Sequence, residues 1–155
     1  MNTVARLSFA FEAVAKYQPK IWSVVPVIDG TPLTELISVF EGDRRYEPVG
    51  GYGGLVPAFF DYGPLDRYLM GHFHPDSNWA RMGGIYVLGC DCGEVGCWPL
   101  LCRVWQDDDV MIWEQFRQPH RPEPDYSQFG PFTFDREQYG SALQTLQAQY
   151  SSLAT

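Results

Sequence analysis

Fifteen glycines and twelve prolines divide this 155-residue chain into short segments. Each of them marks a candidate turn or helix end. Few long helices fit between such breaks, so the core has to be built largely from short extended pieces. Apolar residues make up 45% and aromatics 15% of the chain, which is enough to bury a core and excludes wholesale disorder.

The hydrophobic pattern places those pieces. In residues 4–14, Leu7, Phe9, Phe11 and Ala13 alternate with Arg6, Ser8 and Glu12, the period of a half-buried strand. Residues 21–28 are β-rich, but Pro26 cannot donate to a ladder, so an edge strand or a bulge is expected. Thr31 and Pro32 have the types of an N-cap and a first helical residue, followed by the apolar face Leu33, Leu36, Ile37 and Phe40. Residues 64–70 suit one or two helical turns ended by Gly71.

Residues 85–88 are wholly apolar and read as a central strand. Residues 100–106 and 110–117 read as a hairpin turned by Asp107, Asp108 and Asp109. Its second strand carries apolar groups on both faces: Val110, Ile112 and Phe116 on one, Met111 and Trp113 on the other. Residues 118–131 contain four prolines and suit an extended surface loop. The last helix opens with Asp135 as N-cap, Gln138 completing a capping box, and Phe134 and Tyr139 as a hydrophobic staple. Tyr139, Leu143, Leu146, Tyr150 and Leu153 then line one face. These elements predict one α+β domain over residues 1–155: a mainly antiparallel sheet of about five strands with the C-terminal helix packed on one face.

Charge narrows the partners. Nineteen acids oppose eleven bases, a net charge of −8, and no basic run interrupts the excess. Nucleic acid and anionic membrane surfaces are therefore disfavoured, and a protein partner, if basic, would be attracted. No segment approaches the ~18 consecutive apolar residues of a membrane span. Arg6, Glu12 and Lys16 spoil a signal-peptide core. A cytoplasmic protein is expected, with its cysteines as thiols or metal ligands rather than disulfides.

The most unusual run is Gly89-Cys90-Asp91-Cys92-Gly93-Glu94-Val95-Gly96-Cys97-Trp98-Pro99-Leu100. Cys90, Cys92 and Cys97 fall within eight residues, flanked by glycines that let the backbone curl around an ion. A tetrahedral zinc site would need a fourth ligand, with His74 and His120 as candidates. Cys102 reads instead as a small core residue, since it shares a strand face with Leu100 and Val104. The spacing departs from the usual zinc pairs, because one residue separates Cys90 from Cys92. Asp91 and Glu94 are expected to raise nearby thiol pKa values and oppose a reactive thiolate.

Other patterns are weaker. The glycine run at 50–54 lacks the ending of a phosphate-binding loop. His72, His74 and Asp76 could hold a divalent metal, and a Cys–His nucleophile pair is conceivable, but neither has the spacing of a known catalytic set. Trp98, Trp105 and Trp113 lie on or near the central strands and would form a partner-binding patch if they face solvent.

The cysteine run, the Gln118-Pro119-His120-Arg121-Pro122 loop and the Phe129-Gly130-Pro131-Phe132 run resemble a group of small uncharacterised bacterial proteins. The likeness covers the C-terminal half. It implies a bacterial, cytoplasmic origin and no particular chemistry.

The expected function is a non-enzymatic protein-binding domain of the immunity or adaptor kind, with a structural zinc at the cysteine loop as a possible staple. The alternative is a metal- or thiol-dependent enzyme centred on Cys90, Cys92 and Cys97 with a histidine. No catalytic residue is assigned.

Overall fold

A computed structural model describes residues 4–14, 20–71, 73, 76–121 and 124–153. The fold is α+β, as the sequence predicts. Strands β1 (Leu7–Ala13), β2 (Trp22–Ile28) and β3 (Thr31–Pro32) form one antiparallel sheet in that order. Helix α1 (Leu33–Asp43) follows it. Strands β4 (Tyr52–Gly53), β5 (Ile85–Cys90), β6 (Leu100–Asp107), β7 (Val110–Arg117) and β8 (Phe132–Asp135) form a second antiparallel sheet of five. Helices α2 (Leu65–Tyr68) and α3 (Asn78–Met82) lie between β4 and β5, and α4 (Arg136–Leu153) ends the chain.

Single bridges tie the two sheets at both margins: Ala5 to Phe134 and Val24 to Leu55. The strands therefore curl around one core, which takes Leu7, Val25 and Ile28 from one sheet and Val87, Leu100, Met111 and Trp113 from the other. Gly54 lets the Val24–Leu55 margin close, because a Cβ there would stand 2.7 Å from the Val24 carbonyl oxygen.

Three local features refine the sequence reading. Pro26 sits in β2 between two neighbours, without a bulge. The ladder explains this. Asp29 N–H donates to Arg6 and Val14 N–H to Ile21, so odd residues of β2 face β1 and even residues face away. The donor that Pro26 lacks would point away from β1, between the pairings of Val24 and Ile28, where no strand needs it.

Thr31 is not a side-chain N-cap. It pairs with Ile28 as part of β3, and α1 begins at Leu33 with no side-chain cap bond. The doubly apolar second hairpin strand has a different cause. Gln115 takes a φ of 54°, and the β6–β7 register shifts between Leu101 and Arg103. This bulge flips the alternation, so Met111, Trp113 and Phe116 are all buried.

The C-terminal helix keeps half of the expected capping box. Gln138 N–H donates to Asp135 Oδ2 at 3.0 Å, and the Phe134 and Tyr139 rings meet at 5.6 Å. The Gln138 side chain turns elsewhere. Its Oε1 accepts from Leu7 N–H at 2.9 Å and its Nε2 donates to the Leu7 carbonyl at 2.7 Å. Tyr139, Ala142, Leu143 and Leu146 are buried, whereas Leu153 is exposed. No helix among the described residues is long and apolar enough to cross a membrane.

Candidate functional site: the cysteine turn, its clamp and the β1 edge

The three clustered cysteines occupy the connection from β5 to β6. Cys90 ends β5, where it pairs with Tyr52 of β4. Cys92 lies on the turn that follows, and Cys97 ends a short 3-10 turn, Val95–Cys97. Cys90 and Cys92 are half-buried and Cys97 is exposed. Gly93 has a φ of 99°, which an L side chain rarely adopts, and its N–H donates to the Cys90 carbonyl at 3.0 Å. Val95 points inward and anchors the turn in the core.

The turn folds the Cys92 backbone onto the Cys90 sulfur. Cys92 N–H donates to Cys90 Sγ at 3.4 Å. The Cys90 thiol donates to Asp91 Oδ1 at 3.6 Å, and the Glu94 amide, above all, together with the Cys90 and Cys97 side chains lowers the Cys92 pKa. Burial pushes Cys90 up to about 11. Cys97 is raised, chiefly by its hydrogen bond to Cys92. Asp91 raises Cys90 and Cys92 and Glu94 raises Cys97, as the sequence predicts, but at Cys92 the Glu94 amide outweighs the acid and the net shift is downward. Cys102 is separate. It is wholly buried on β6, and burial drives its pKa well up.

His120 reaches this turn. Its Nε2 lies 2.9 Å from the Gly96 carbonyl, an acceptor, so Nε2 is the donor and has no lone pair left for a metal. Its ring stacks on Trp98 at 6.3 Å and 6°. His74 lies outside the described residues. Among the described residues, no group of three or more His, Cys, Asp or Glu side chains is arranged to hold a metal ion.

Beneath the turn lies a buried polar clamp that the sequence reading missed. Glu41 on α1 is fully buried. Its Oε1 accepts from Gly50 N–H at 2.8 Å. Its Oε2 accepts from Tyr126 at 2.7 Å, from Tyr52 at 3.0 Å and from the Arg121 guanidinium at 3.0 Å. Arg121 also donates to the Pro48 carbonyl, and its guanidinium lies 5.1 Å from the Trp98 ring centre. Trp98 Nε1 donates to Gly50 at 2.9 Å. One carboxylate thus joins α1, the glycine run, β4 and the proline-rich loop, and Gly50 and Arg121 extend the contact to Trp98 after the cysteine turn. A signal existed, since Glu41 falls on the helical face of Leu33 and Ile37.

The three tryptophans differ in burial. Trp98 is half-buried, with its indole N–H committed to Gly50. Trp105 is half-buried under the Arg103 guanidinium at 4.8 Å and donates to Glu114 at 2.7 Å. Trp113 is fully buried and donates to Tyr139 of α4 at 3.0 Å. Trp113 therefore cannot meet a partner, because α4 covers it. The bulge at Gln115 had hidden this from the alternation.

An open backbone edge lies elsewhere, on β1. Even residues of β1 bond to β2, so the N–H and C=O groups of odd residues point to the other side. There Ala5 N–H donates to Thr133 of β8 at 2.7 Å, and Leu7 is paired by Gln138. Beyond Leu7, the groups of Phe9, Phe11 and Ala13 continue the same edge, and β8 does not extend to meet them. A groove of about 510 Å³ runs beside this edge, with Arg6 and Phe9 on one wall and Gln138, Ser141, Thr145 and Gln149 of α4 on the other. Asp135 and Glu137 add negative charge to its lining.

No family model matches the chain, and no curated protein or solved structure matches it.

Proposed function

We propose that this chain is a non-enzymatic protein-binding domain that takes an extended, basic segment of a partner protein along the open edge of β1. The hydrogen-bond parity of β1 carries this reading. Among the described residues, nothing pairs with the donors and acceptors of Phe9, Phe11 and Ala13, which lie in register, the template for strand addition. The side-chain amide of Gln138 already takes the place of one residue of such a strand at Leu7.

The opposite wall supports the same reading. Ser141, Thr145 and Gln149 recur at helical spacing along the groove, where their polar ends can meet the outer side of an added strand. Asp135 and Glu137 in the lining against Arg6, with a net charge of −8, favour a basic segment.

Titration with blocked alternating Val-Lys and Val-Glu hexapeptides tests the proposal. The Val-Lys peptide is expected to bind, and its affinity is expected to fall at least about tenfold in Thr145→Trp, which fills the groove from an exposed helical position. Equal binding of both peptides, or binding untouched by Thr145→Trp, would contradict it. So would a self-associated chain in sedimentation with β1 against β1, since a second copy would then own the edge.

A further inference from the structure

We propose that the cavity at the start of β5 binds a small uncharged lactam, a flat ring with an N–H beside a carbonyl, held by the backbone of Val104. The site shares no lining residue with the β1 groove and rests on the ladder of β6. Arg136 N–H donates to the Asp109 carbonyl at 2.9 Å, so odd residues of β7 face β8 and even residues face β6. Arg103 and Trp105 pair with Glu114 and Ile112 and therefore face β7. The N–H and C=O of Val104, between them, point the other way.

On that side β5 offers no partner. It begins at Ile85, opposite Cys102. Gly83 and Gly84 belong to the turn that closes α3, where their N–H groups donate to Ala80 and Trp79. Among the described residues, nothing pairs with the Val104 N–H and C=O. Gly71 keeps the carbonyl open, because a Cβ there would stand 2.7 Å from the Val104 oxygen. The gap beside Val104 is a cavity of about 310 Å³, at the small end of ligand sites.

The walls select the occupant. Phe73, Trp79 and Trp105 line the cavity, and aromatic walls favour a flat ring. Among the described residues, Arg103 is the one charged side chain of the lining, and it lies 3.3 Å from Glu114. That pairing offsets its charge, so the cavity favours neither an anion nor a cation.

A peptide strand fits this edge poorly. Strand addition uses alternate residues along an open edge, and here β5 and α3 stand beside Val104. One donor and one acceptor on a single residue match instead the N–H and C=O edge of a lactam. The Gln138 amide pairs with Leu7 in the same way, at 2.9 and 2.7 Å.

The test titrates the full, isotope-labelled chain with oxindole and with N-methyloxindole and follows the amide resonances. Oxindole is expected to bind, to shift the Val104 amide and to slow its exchange with solvent. N-methyloxindole keeps the ring and the carbonyl but loses the donor, so it should bind at least about tenfold more weakly. Ala80→Trp, at an exposed position of α3 that lines the cavity, should weaken oxindole at least about tenfold. Oxindole that fails to bind up to its solubility limit, N-methyloxindole that binds as tightly, or binding untouched by Ala80→Trp would overturn the proposal. So would a Val104 amide as protected in the free chain as those of Arg103 and Trp105, which bond to β7, or one that answers to the Val-Lys peptide and not to oxindole. The N-methyl comparison and the exchange measurement use the unaltered chain, so they decide the matter whatever Ala80→Trp does to folding.

Discussion

Gln138 of α4 and Leu7 of β1 pair as two strand residues would, although one of them contributes only a side chain. The amide oxygen accepts from Leu7 N–H and the amide nitrogen donates to Leu7 C=O. This contact holds the C-terminal helix against the N-terminal strand across 131 residues of sequence, and it closes one end of the proposed binding groove.

Removing that amide leaves both Leu7 groups without partners. Gln138→Ala is expected to cost about 1–3 kcal/mol in urea unfolding. Gln138→Glu keeps the acceptor and loses the donor, so it should fall between the two. A Gln138→Ala chain as stable as the unaltered one would show that water replaces the amide at no cost.

The buried clamp makes a larger prediction. The Glu41 and Arg121 side chains are 0% and 6% exposed, so removing one partner strands the other charge in the interior. Glu41→Leu is expected to destabilise the domain by about 3–5 kcal/mol. The double variant Glu41→Leu with Arg121→Met should recover part of that loss. If the double variant loses the sum of the two single effects, the pair is not coupled as described.

The two hairpin tryptophans should behave differently. Trp113→Ala opens a cavity beneath α4 and also removes the hydrogen bond to Tyr139, with an expected cost of about 3–5 kcal/mol. Trp105→Ala removes a half-buried ring beside Arg103 and Glu114 and should cost about 1 kcal/mol or less. Equal losses would contradict the placement of Trp113 inside and Trp105 at the surface.

The thiols should titrate in a fixed order. The Glu94 amide and the neighbouring thiols hold Cys92 below the ordinary thiol value of 9.0, and burial holds Cys90 up to about 11. Alkylation consumes the thiolate. As pH rises from neutral, Cys92 should therefore be modified first and Cys90 only at strongly alkaline pH. Residue-resolved alkylation by mass spectrometry checks this, and Cys90 reacting ahead of Cys92 would contradict it.

Period and punctuation made much of this fold legible. The alternation of Leu7, Phe9 and Phe11, the hairpin around Asp108 and the cap at Asp135 are local, and each matches an observed element. What escaped depends on residues distant in sequence. The bulge at Gln115 moved Phe116 to the inner face, and alternation alone gave no sign of it. Glu41 and Arg121 stand 80 residues apart, so their pairing needed the fold. The cysteine turn was visible as a motif, but the favoured sulfur was not. The Glu94 amide that selects Cys92 is a backbone group, and side-chain charges gave the opposite expectation. The open edge of β1 was likewise invisible, because sequence gives the faces of a strand and not the parity of its ladder.

The most direct measurement is residue-resolved amide hydrogen exchange at Phe9 and Phe11, with and without the Val-Lys peptide. These amides point away from β2, so in the free chain they should exchange much faster than those of Ser8 and Ala10, which bond to it. Bound peptide should slow Phe9 and Phe11 and leave Ser8 and Ala10 nearly unchanged. Phe9 and Phe11 amides already protected in the free chain, or unprotected in the presence of saturating peptide, would contradict strand addition at β1.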